Sequence, residues 1–149
     1  MKEQTINVSE EFKKHGLKLT HQRLAVYEAL KKSKDHPSPE EIYQSIKGDY
    51  PMLSRNTIYT TLETLKGLGL ITEVNPWHQA RYDANLGIHH HVVCVKCKRI
   101  DDIHEPTLDQ ILIPDSIKGK YDGLSHKVEF SGVCPKCYSE NRTKVKEKS

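Results

Sequence analysis

The sequence lacks a long apolar run, and this absence excludes a transmembrane helix. None of its apolar stretches approaches the roughly 18 residues that a helix needs to cross a bilayer. Its first residues, MKEQTINVSEEFKK, are polar and charged, whereas a signal peptide would carry an apolar segment there. We therefore expect a soluble cytoplasmic protein with no membrane partner.

The sequence also has little excess charge of either sign. Its 149 residues carry 23 Lys and Arg against 20 Asp and Glu, which gives a formal net charge of +3. Net charge alone therefore gives no argument for a nucleic-acid partner. At this length two small halves would each bury little apolar surface, so a crosslink of some kind is expected to stabilise them.

Cysteine is sparse, but its spacing is informative. The four cysteines form two C-x-x-C pairs, Cys94 with Cys97 and Cys134 with Cys137. This spacing lets one tight turn present two thiolates to a tetrahedral zinc ion, and cytosolic thiols stay reduced. The alternatives are a thioredoxin-like redox motif, which needs only one pair near a helix start, and structural disulfides. We predict a structural Zn2+ bound by all four cysteines.

The first half of the chain has the pattern of several helices followed by a hairpin. Three helices have a serine or threonine in position to cap their N-terminus: Ser9, Thr20 and Ser54. The segment Ser38-Pro39-Glu40-Glu41 has the pattern of a capping box and begins a further helix, between those of Thr20 and Ser54. Residues 70–74 and 79–82, with a turn near Asn75-Pro76, have the pattern of two strands. This order predicts a winged helix-turn-helix.

The second half of the chain has a different pattern from the helical first half. Strand-like runs surround its cysteine pairs, and a helix is expected over 107–112. We therefore predict an α+β protein with an N-terminal winged helix-turn-helix domain and a small C-terminal α+β dimerisation domain. The expected divisions are a DNA-binding domain at 1–83, a linker at 84–88, a metal-binding domain at 89–140 and a basic disordered tail at 141–149.

The helix that Ser54 caps is the candidate reader of DNA. Arg55, Asn56, Tyr59 and Thr60 lie on its exposed face near its N-terminal end, which normally reaches base edges in the major groove. Asparagine pairs with adenine, and arginine with guanine or phosphate. The alternative interpretation is an ordinary solvated helix face.

Three consecutive histidines precede the first cysteine pair. On a strand, the alternation of side chains sends His89 and His91 to one face and His90 to the other. Asp83 and the pair Asp101-Asp102 lie near them in sequence and supply carboxylate oxygens. These residues indicate a second metal site, with a solvated polar patch as the alternative.

With these motifs in place, the chain resembles the ferric uptake regulator (Fur) family over nearly its whole length. The segments that carry the resemblance are His36-Pro37 ahead of EEIY, LSRNTIY at 53–59, RYD at 81–83, HHHVVCVKC at 89–97 and GVCPKC at 132–137. The resemblance implies a homodimeric transcriptional repressor, not an enzyme. Such two-fold dimers use palindromic double-stranded DNA operators.

The same resemblance implies that a regulatory Fe2+ or Mn2+ bridges the two domains. The implied ligands are His36, Asp83, His89, His91 and Asp102. Three imidazoles and two carboxylates suit either metal, and five ligands leave one position open for a small molecule. His104, Glu105 and His126 resemble an additional metal site of some relatives.

Asp83 and Asp102 also bear on the signal that is sensed. Aspartate at both positions is similar to the peroxide-sensing branch of the family, whereas the iron-uptake branch has glutamate. The resemblance then implies that ferrous iron reduces hydrogen peroxide and that the oxidant made there attacks a ligating imidazole, His36 or His89. Loss of a ligand lowers the affinity for metal and releases DNA.

Three other functions stay open. An iron- or zinc-uptake repressor would share the architecture but release DNA on metal depletion. A zinc metallohydrolase, with Asp102 as general base, would need an HExxH or comparable motif and a glycine-rich substrate loop, which the sequence lacks. A zinc-stabilised interaction module would bind a partner protein and would show no salt-dependent DNA binding.

Overall fold

The computed structural model describes residues 6–74 and 79–140, which divide into two compact units between Gly87 and Ile88. In chain order the elements are α1 Val8–Lys14, α2 His21–Lys32, α3 Pro39–Ile46, α4 Arg55–Gly67, β1 Thr72–Val74, β2 Arg81–Asp83, β3 His90–Cys94, β4 Ile100–Ile103, α5 Pro106–Asp109 and β5 Glu129–Gly132. Residues 135–140, at the end of the described range, are helical as well. Within the described ranges, no helix is long and apolar enough to cross a bilayer. The turn expected at Asn75-Pro76 and the tail expected at 141–149 lie outside the described residues.

Short polar side chains set where the helices of the N-terminal unit begin. The side chains of Thr20, Ser38 and Ser54 each accept the backbone N–H of the residue three positions later, which confirms these three predicted caps. The prediction for the first helix was wrong, because Asn7 rather than Ser9 caps it. The amide oxygen of Asn7 satisfies the free N–H of the first turn, so α1 begins before Ser9.

The helices of the N-terminal unit enclose one apolar core. Its buried residues are Phe12, Val26, Tyr27, Leu30, Ile42, Ile46, Leu53, Ile58, Leu62, Leu65, Leu70, Ile71 and Tyr82. Ile58, Leu62 and Leu65 are fully buried, as the apolar stripe of α4 predicts. At the end of α4, Gly69 takes a φ of 73° and the N–H of Leu70 bonds to the Leu65 carbonyl, a turn that ends the helix ahead of β1.

The N-terminal unit ends in a short hairpin. Strands β1 and β2 pair antiparallel, with Thr72 opposite Asp83. Four helices followed by this hairpin are the layout of a winged helix-turn-helix, so the predicted fold of this half is confirmed.

The C-terminal unit is built on a three-stranded sheet in the order β4-β3-β5. The central strand β3 pairs antiparallel with β4, which sets His91 opposite Asp102. It pairs parallel with β5, which sets Cys94 opposite Gly132. The helix expected over 107–112 begins one residue earlier and is shorter, because α5 runs from Pro106 to Asp109.

Candidate metal centres and nucleic-acid interface

The first candidate metal centre is a cluster of four cysteines in the C-terminal unit. One Sγ atom from each of Cys94, Cys97, Cys134 and Cys137 lies within 4.8 Å of the others. The parallel pairing of β3 with β5 brings the two C-x-x-C turns together, since Cys94 faces Gly132 two residues before Cys134. The Sγ atoms of Cys97 and Cys134 are 3.8 Å apart. A zinc ion with ~2.3 Å bonds to tetrahedral thiolates needs sulfur atoms about 3.8 Å apart, so the cluster fits structural zinc.

Backbone N–H groups stabilise the thiolate form of one of these cysteines, Cys94. The Sγ of Cys94 accepts N–H groups from Cys134 at 3.4 Å and Cys97 at 3.5 Å. These bonds lower the pKa of the Cys94 thiol to about 6. A hydrogen bond with the Cys134 thiol, followed by burial, raises the pKa of Cys137 to about 12. Because cysteine binds zinc as a thiolate, zinc binding releases the protons of the cysteine thiols.

A second group of candidate metal ligands lies in the N-terminal unit. The Nε2 atom of His36 lies 3.2 Å from Oδ2 of Asp83. The His36 backbone takes a left-handed φ of 50°, and its carbonyl accepts a 3.0 Å hydrogen bond from Arg81. The N–H of Tyr82 donates to the Pro37 carbonyl at 3.2 Å. Strand β2 thus carries Asp83 and holds the 36–37 segment against it.

The other oxygen of the Asp83 carboxylate is also engaged. Its Oδ1 accepts the backbone N–H of Asn85 at 2.8 Å, and the side chain of Asn85 accepts the N–H of Gly87 at 3.0 Å. These successive turns fix the side chain of Asp83 while leaving its Oδ2 on the side of His36. The carboxylate is therefore positioned before any ligand binds.

The C-terminal unit has a cluster of its own, made of two imidazoles and a carboxylate. Oδ1 of Asp102 lies 3.3 Å from Nε2 of His91 and 3.7 Å from Nε2 of His89. The two rings meet edge to face, with centroids 4.8 Å apart. Cross-strand pairing of β3 with β4 places the carboxylate, and strand alternation puts both imidazoles on its side. Nitrogen and oxygen donors in this arrangement suit Fe2+ or Mn2+.

His90, the middle histidine, has a different environment. Its Nδ1 accepts the N–H of Val128 at 3.0 Å, so its Nε2 carries the proton and donates to Asp109 at 2.7 Å. The ring is fully buried and stacks on His126 with centroids 5.8 Å apart. His90 therefore connects β3 to α5 and to the segment before β5. Its partner Asp109 had no signal in the sequence.

The additional metal site suggested by resemblance is not assembled from the expected residues. Across 6–74 and 79–140, no group of metal-binding side chains combines His104, Glu105 and His126. The Nε2 of His126 instead donates to the Leu108 carbonyl at 2.6 Å. The stacking of His126 on His90 and this bond give it a structural environment.

The exposed face of α4 carries the residues proposed to meet DNA. Asn56, Tyr59 and Thr60 are exposed, with 54% of the Tyr59 side chain accessible. Arg55 is exposed as well, but its guanidinium is bound within the protein. It forms two hydrogen bonds, of 2.8 and 3.0 Å, to the carboxylate of Glu40 on α3. This ion pair could not be anticipated from the helical pattern.

Comparison with known proteins identifies the family of this chain. Residues 14–131 match the ferric uptake regulator family. The chain is 35% identical over 129 residues to the peroxide-responsive repressor PerR of Staphylococcus epidermidis, covering 86% of each protein. It is 34% identical over 123 residues to PerR of Staphylococcus aureus strain Mu50, covering 82% of this chain and 83% of that protein.

Solved structures agree with these sequence relatives. The ferric uptake regulator Fur of Helicobacter pylori, described as having three functional metal-binding sites, superposes with a TM-score of 0.73 at 28% identity, over 88% of this chain and 89% of that one. PerR from Streptococcus pyogenes gives a TM-score of 0.51 at 26% identity, over 88% and 90%. The chain therefore belongs to the ferric uptake regulator family of metal-dependent regulators.

Proposed function

We propose that this chain is a cytoplasmic transcriptional repressor that senses hydrogen peroxide through oxidation of an iron-binding histidine. The observation that carries the proposal is the pairing of imidazole with aspartate in each unit. His36 lies beside Asp83, and both His89 and His91 lie beside Asp102. The relatives named as peroxide-responsive repressors support the same assignment.

The proposed regulatory site combines the two clusters. Its ligands are His36, Asp83, His89, His91 and Asp102. Because they come from both sides of the proposed linker at 84–88, a bound ion would favour one arrangement of the two units. Metal that binds the DNA-competent arrangement more tightly must, by reciprocity, bind more tightly when DNA is present.

Hydrogen peroxide would weaken this coupling between metal binding and DNA binding by oxidising a metal ligand. His36 or His89 would gain one oxygen atom from hydrogen peroxide in a two-electron oxidation, with water as the other product. A ferrous ion held by these ligands would supply the redox catalysis for that step. An oxidised imidazole is a poorer ligand, so the bias toward the DNA-competent arrangement is lost. The zinc cluster, which uses none of these residues, keeps the C-terminal unit folded throughout.

Homodimerisation through the C-terminal unit is supported by its surface. Strand β5 is an edge strand, and all four of its residues are exposed, including Phe130 at 48%. Leu112 and Tyr121 in the same unit are 87% and 65% exposed. Large exposed apolar side chains and an unpaired strand edge are typical of a surface that binds another chain. We propose that a second copy covers it and that the dimer binds a palindromic operator.

DNA recognition is assigned to the exposed face of α4. Asn56, Tyr59 and Thr60 stand near the helix N-terminus, the end that reaches base edges in this class of protein. Arg55 adds a positive charge to this face, but it can contact DNA only if its guanidinium leaves the carboxylate of Glu40.

Mass spectrometry after peroxide exposure tests the sensing step. The protein is loaded anaerobically with Fe(II), exposed briefly to hydrogen peroxide and digested. We expect one added oxygen atom on the peptide that contains His36 or His89, together with loss of DNA binding. A sample loaded with Mn(II) is the control and should stay unmodified. His15 and His21, outside the proposed ligand set, should stay unmodified in both.

The opposite result identifies the competing function. Metal-dependent DNA binding with no oxygen added to His36 or His89 would exclude peroxide sensing by ligand oxidation. The protein would then be an iron- or zinc-uptake repressor that releases DNA when the metal is removed.

A further inference from the structure

Arg55, the first residue of α4, is held by α3 on several sides. Its Nε and Nη2 atoms donate to the two carboxylate oxygens of Glu40, at 2.8 and 3.0 Å. Its guanidinium carbon lies 4.4 Å from the centre of the Tyr43 ring. The side chain of Gln44 donates a further bond of 2.9 Å to Glu40. The charge at the N-terminal end of the proposed recognition helix is thus neutralised within the protein.

Folding stability does not explain this arrangement well. The side chains of Arg55 and Glu40 are 58% and 52% exposed, and ion pairs at such exposure contribute little to stability. The neighbouring Glu41 has a clear structural use, because it completes the capping box of α3 and lies 3.2 Å from Arg81. Glu40 lies in the same first turn of α3 but takes no part in the capping box, and its main partner is the arginine that DNA would otherwise attract.

A carboxylate is a direct competitor for a phosphate at arginine. Both anions accept two parallel hydrogen bonds from the planar guanidinium. The hydrogen bond from Arg55, followed by that from Gln44, lowers the pKa of Glu40 to about 2, so the carboxylate stays charged at neutral pH. An unpaired arginine in this place would contact the backbone phosphates of any DNA sequence, and such contacts set non-specific affinity.

We propose, on the basis of the DNA-binding function above, that Glu40 is a specificity-determining residue that withholds Arg55 from DNA phosphates. The pair lowers the affinity for DNA of unrelated sequence. Base contacts made by Asn56, Tyr59 and Thr60 do not depend on that charge, so the ratio of specific to non-specific binding rises. Removing Glu40 should therefore increase binding to DNA of any sequence.

Salt-dependent DNA binding by Glu40→Gln tests this role. The full-length protein, loaded with zinc and Mn(II), is titrated against a short duplex of mixed sequence, with fluorescence anisotropy as the readout. Glu28→Gln is the matched control, because Glu28 is exposed on α2 and the substitution changes the net charge equally. Thermal unfolding of each variant checks that it is folded.

We expect Glu40→Gln to bind the mixed-sequence duplex several-fold more tightly than Glu28→Gln. One additional phosphate contact per protomer, two per dimer, should steepen the slope of log affinity against log salt by about 1.8. Between about 50 and about 200 mM salt, the variant should lose roughly tenfold more affinity than the control. The double variant Glu40→Gln/Arg55→Gln should show neither the gain nor the steeper slope.

Unchanged or weaker non-specific binding by folded Glu40→Gln would overturn the proposal. If Gln at this position prevents folding, Glu40→Asp replaces it. Shortening the side chain by one methylene loosens the two-bond contact, so a smaller gain in affinity is expected, and no gain would again overturn the proposal. Failure of the wild-type protein to bind any duplex would instead contradict the DNA-binding function itself.

Discussion

Arg81 donates a 3.0 Å hydrogen bond to the backbone carbonyl of His36, a residue in the left-handed region with a φ of 50°. A non-glycine residue rarely adopts this conformation, so the bond helps to stabilise it. The same guanidinium nitrogen lies 3.2 Å from the carboxylate of Glu41. Arg81 thereby joins the start of α3, the 36–37 segment and β2, and it helps to place the His36 imidazole beside Asp83.

Arg81→Met should weaken the regulatory metal site without affecting zinc. The substitution keeps a long side chain but removes the bond to the His36 carbonyl, so His36 loses part of its orientation. Loss of such a supporting contact typically lowers metal affinity about 10- to 100-fold. Calorimetric titration with Mn(II) measures the affinity, and elemental analysis measures the zinc content.

Arg23→Met is the control for that experiment. Arg23 also bonds to a backbone carbonyl, that of Lys18, but neither residue belongs to the proposed metal sites. Its Mn(II) affinity should equal that of the wild type. Equal affinities for Arg81→Met and Arg23→Met would contradict the orienting role of Arg81.

Cys94→Ser and His89→Ala should separate the two metal centres. Cys94→Ser removes the sulfur that accepts two backbone N–H groups, so the protein should lose zinc and either unfold in its C-terminal half or become monomeric. His89→Ala should stay folded, dimeric and zinc-loaded but fail to bind DNA tightly. Zinc content, gel filtration and DNA titration give the three readouts. Equal loss of zinc in both variants would show that the centres are not independent.

The carboxyl group of Glu40 should titrate far below its ordinary value. The hydrogen bond from Arg55 lowers its pKa from 4.5 to about 2. Because the folded-state pKa is depressed, the small stabilisation that this exposed pair adds is present above pH 4.5 and is lost as the pH falls toward 2. Carbon-detected NMR of the side-chain carboxyl gives the pKa directly.

The variant Arg55→Gln supplies the comparison for that titration. Without the guanidinium, the pKa of Glu40 should rise toward its ordinary value. A wild-type Glu40 that already titrates there would mean that the ion pair does not persist in solution.

Phe130→Asp should weaken the proposed dimer. A charged side chain on the exposed edge strand would be buried without a partner at the interface, which is costly. Analytical ultracentrifugation should show a shift toward monomer, with zinc content unchanged. Tyr59→Ser, which removes an exposed aromatic ring from the N-terminal unit, should remain dimeric. A Phe130→Asp variant that is as dimeric as the wild type would place the interface elsewhere.

Local signals in the sequence were sufficient for much of the fold. The caps at Thr20, Ser38 and Ser54 depend on residues within one helical turn, so they were predicted correctly. The first helix was not, because Asn7 and Ser9 are both good caps and the sequence alone does not rank them. The two C-x-x-C pairs were also recognised from the sequence, because the cysteines of each pair are only three residues apart.

Tertiary partners were not predictable in the same way. Strand alternation separated His90 from its two neighbours, but its partner Asp109 is 19 residues away and reaches it through packing of α5. The periodicity of α4 showed that Arg55 is exposed, whereas its ion-pair partner Glu40 is 15 residues away in sequence and lies on another helix. Such contacts depend on how elements pack, which no local pattern specifies.

The parallel pairing of β3 with β5 also affects the order of events during synthesis. Cys94 meets Gly132 only after the intervening chain has been made, and the last zinc ligand, Cys137, follows later still. Contacts between residues so far apart in sequence form slowly, because a long loop must close first. On the ribosome, the whole N-terminal unit has been synthesised while the zinc cluster is still incomplete. A nascent or prematurely terminated chain would therefore carry the proposed DNA-reading helix without the zinc-stabilised unit.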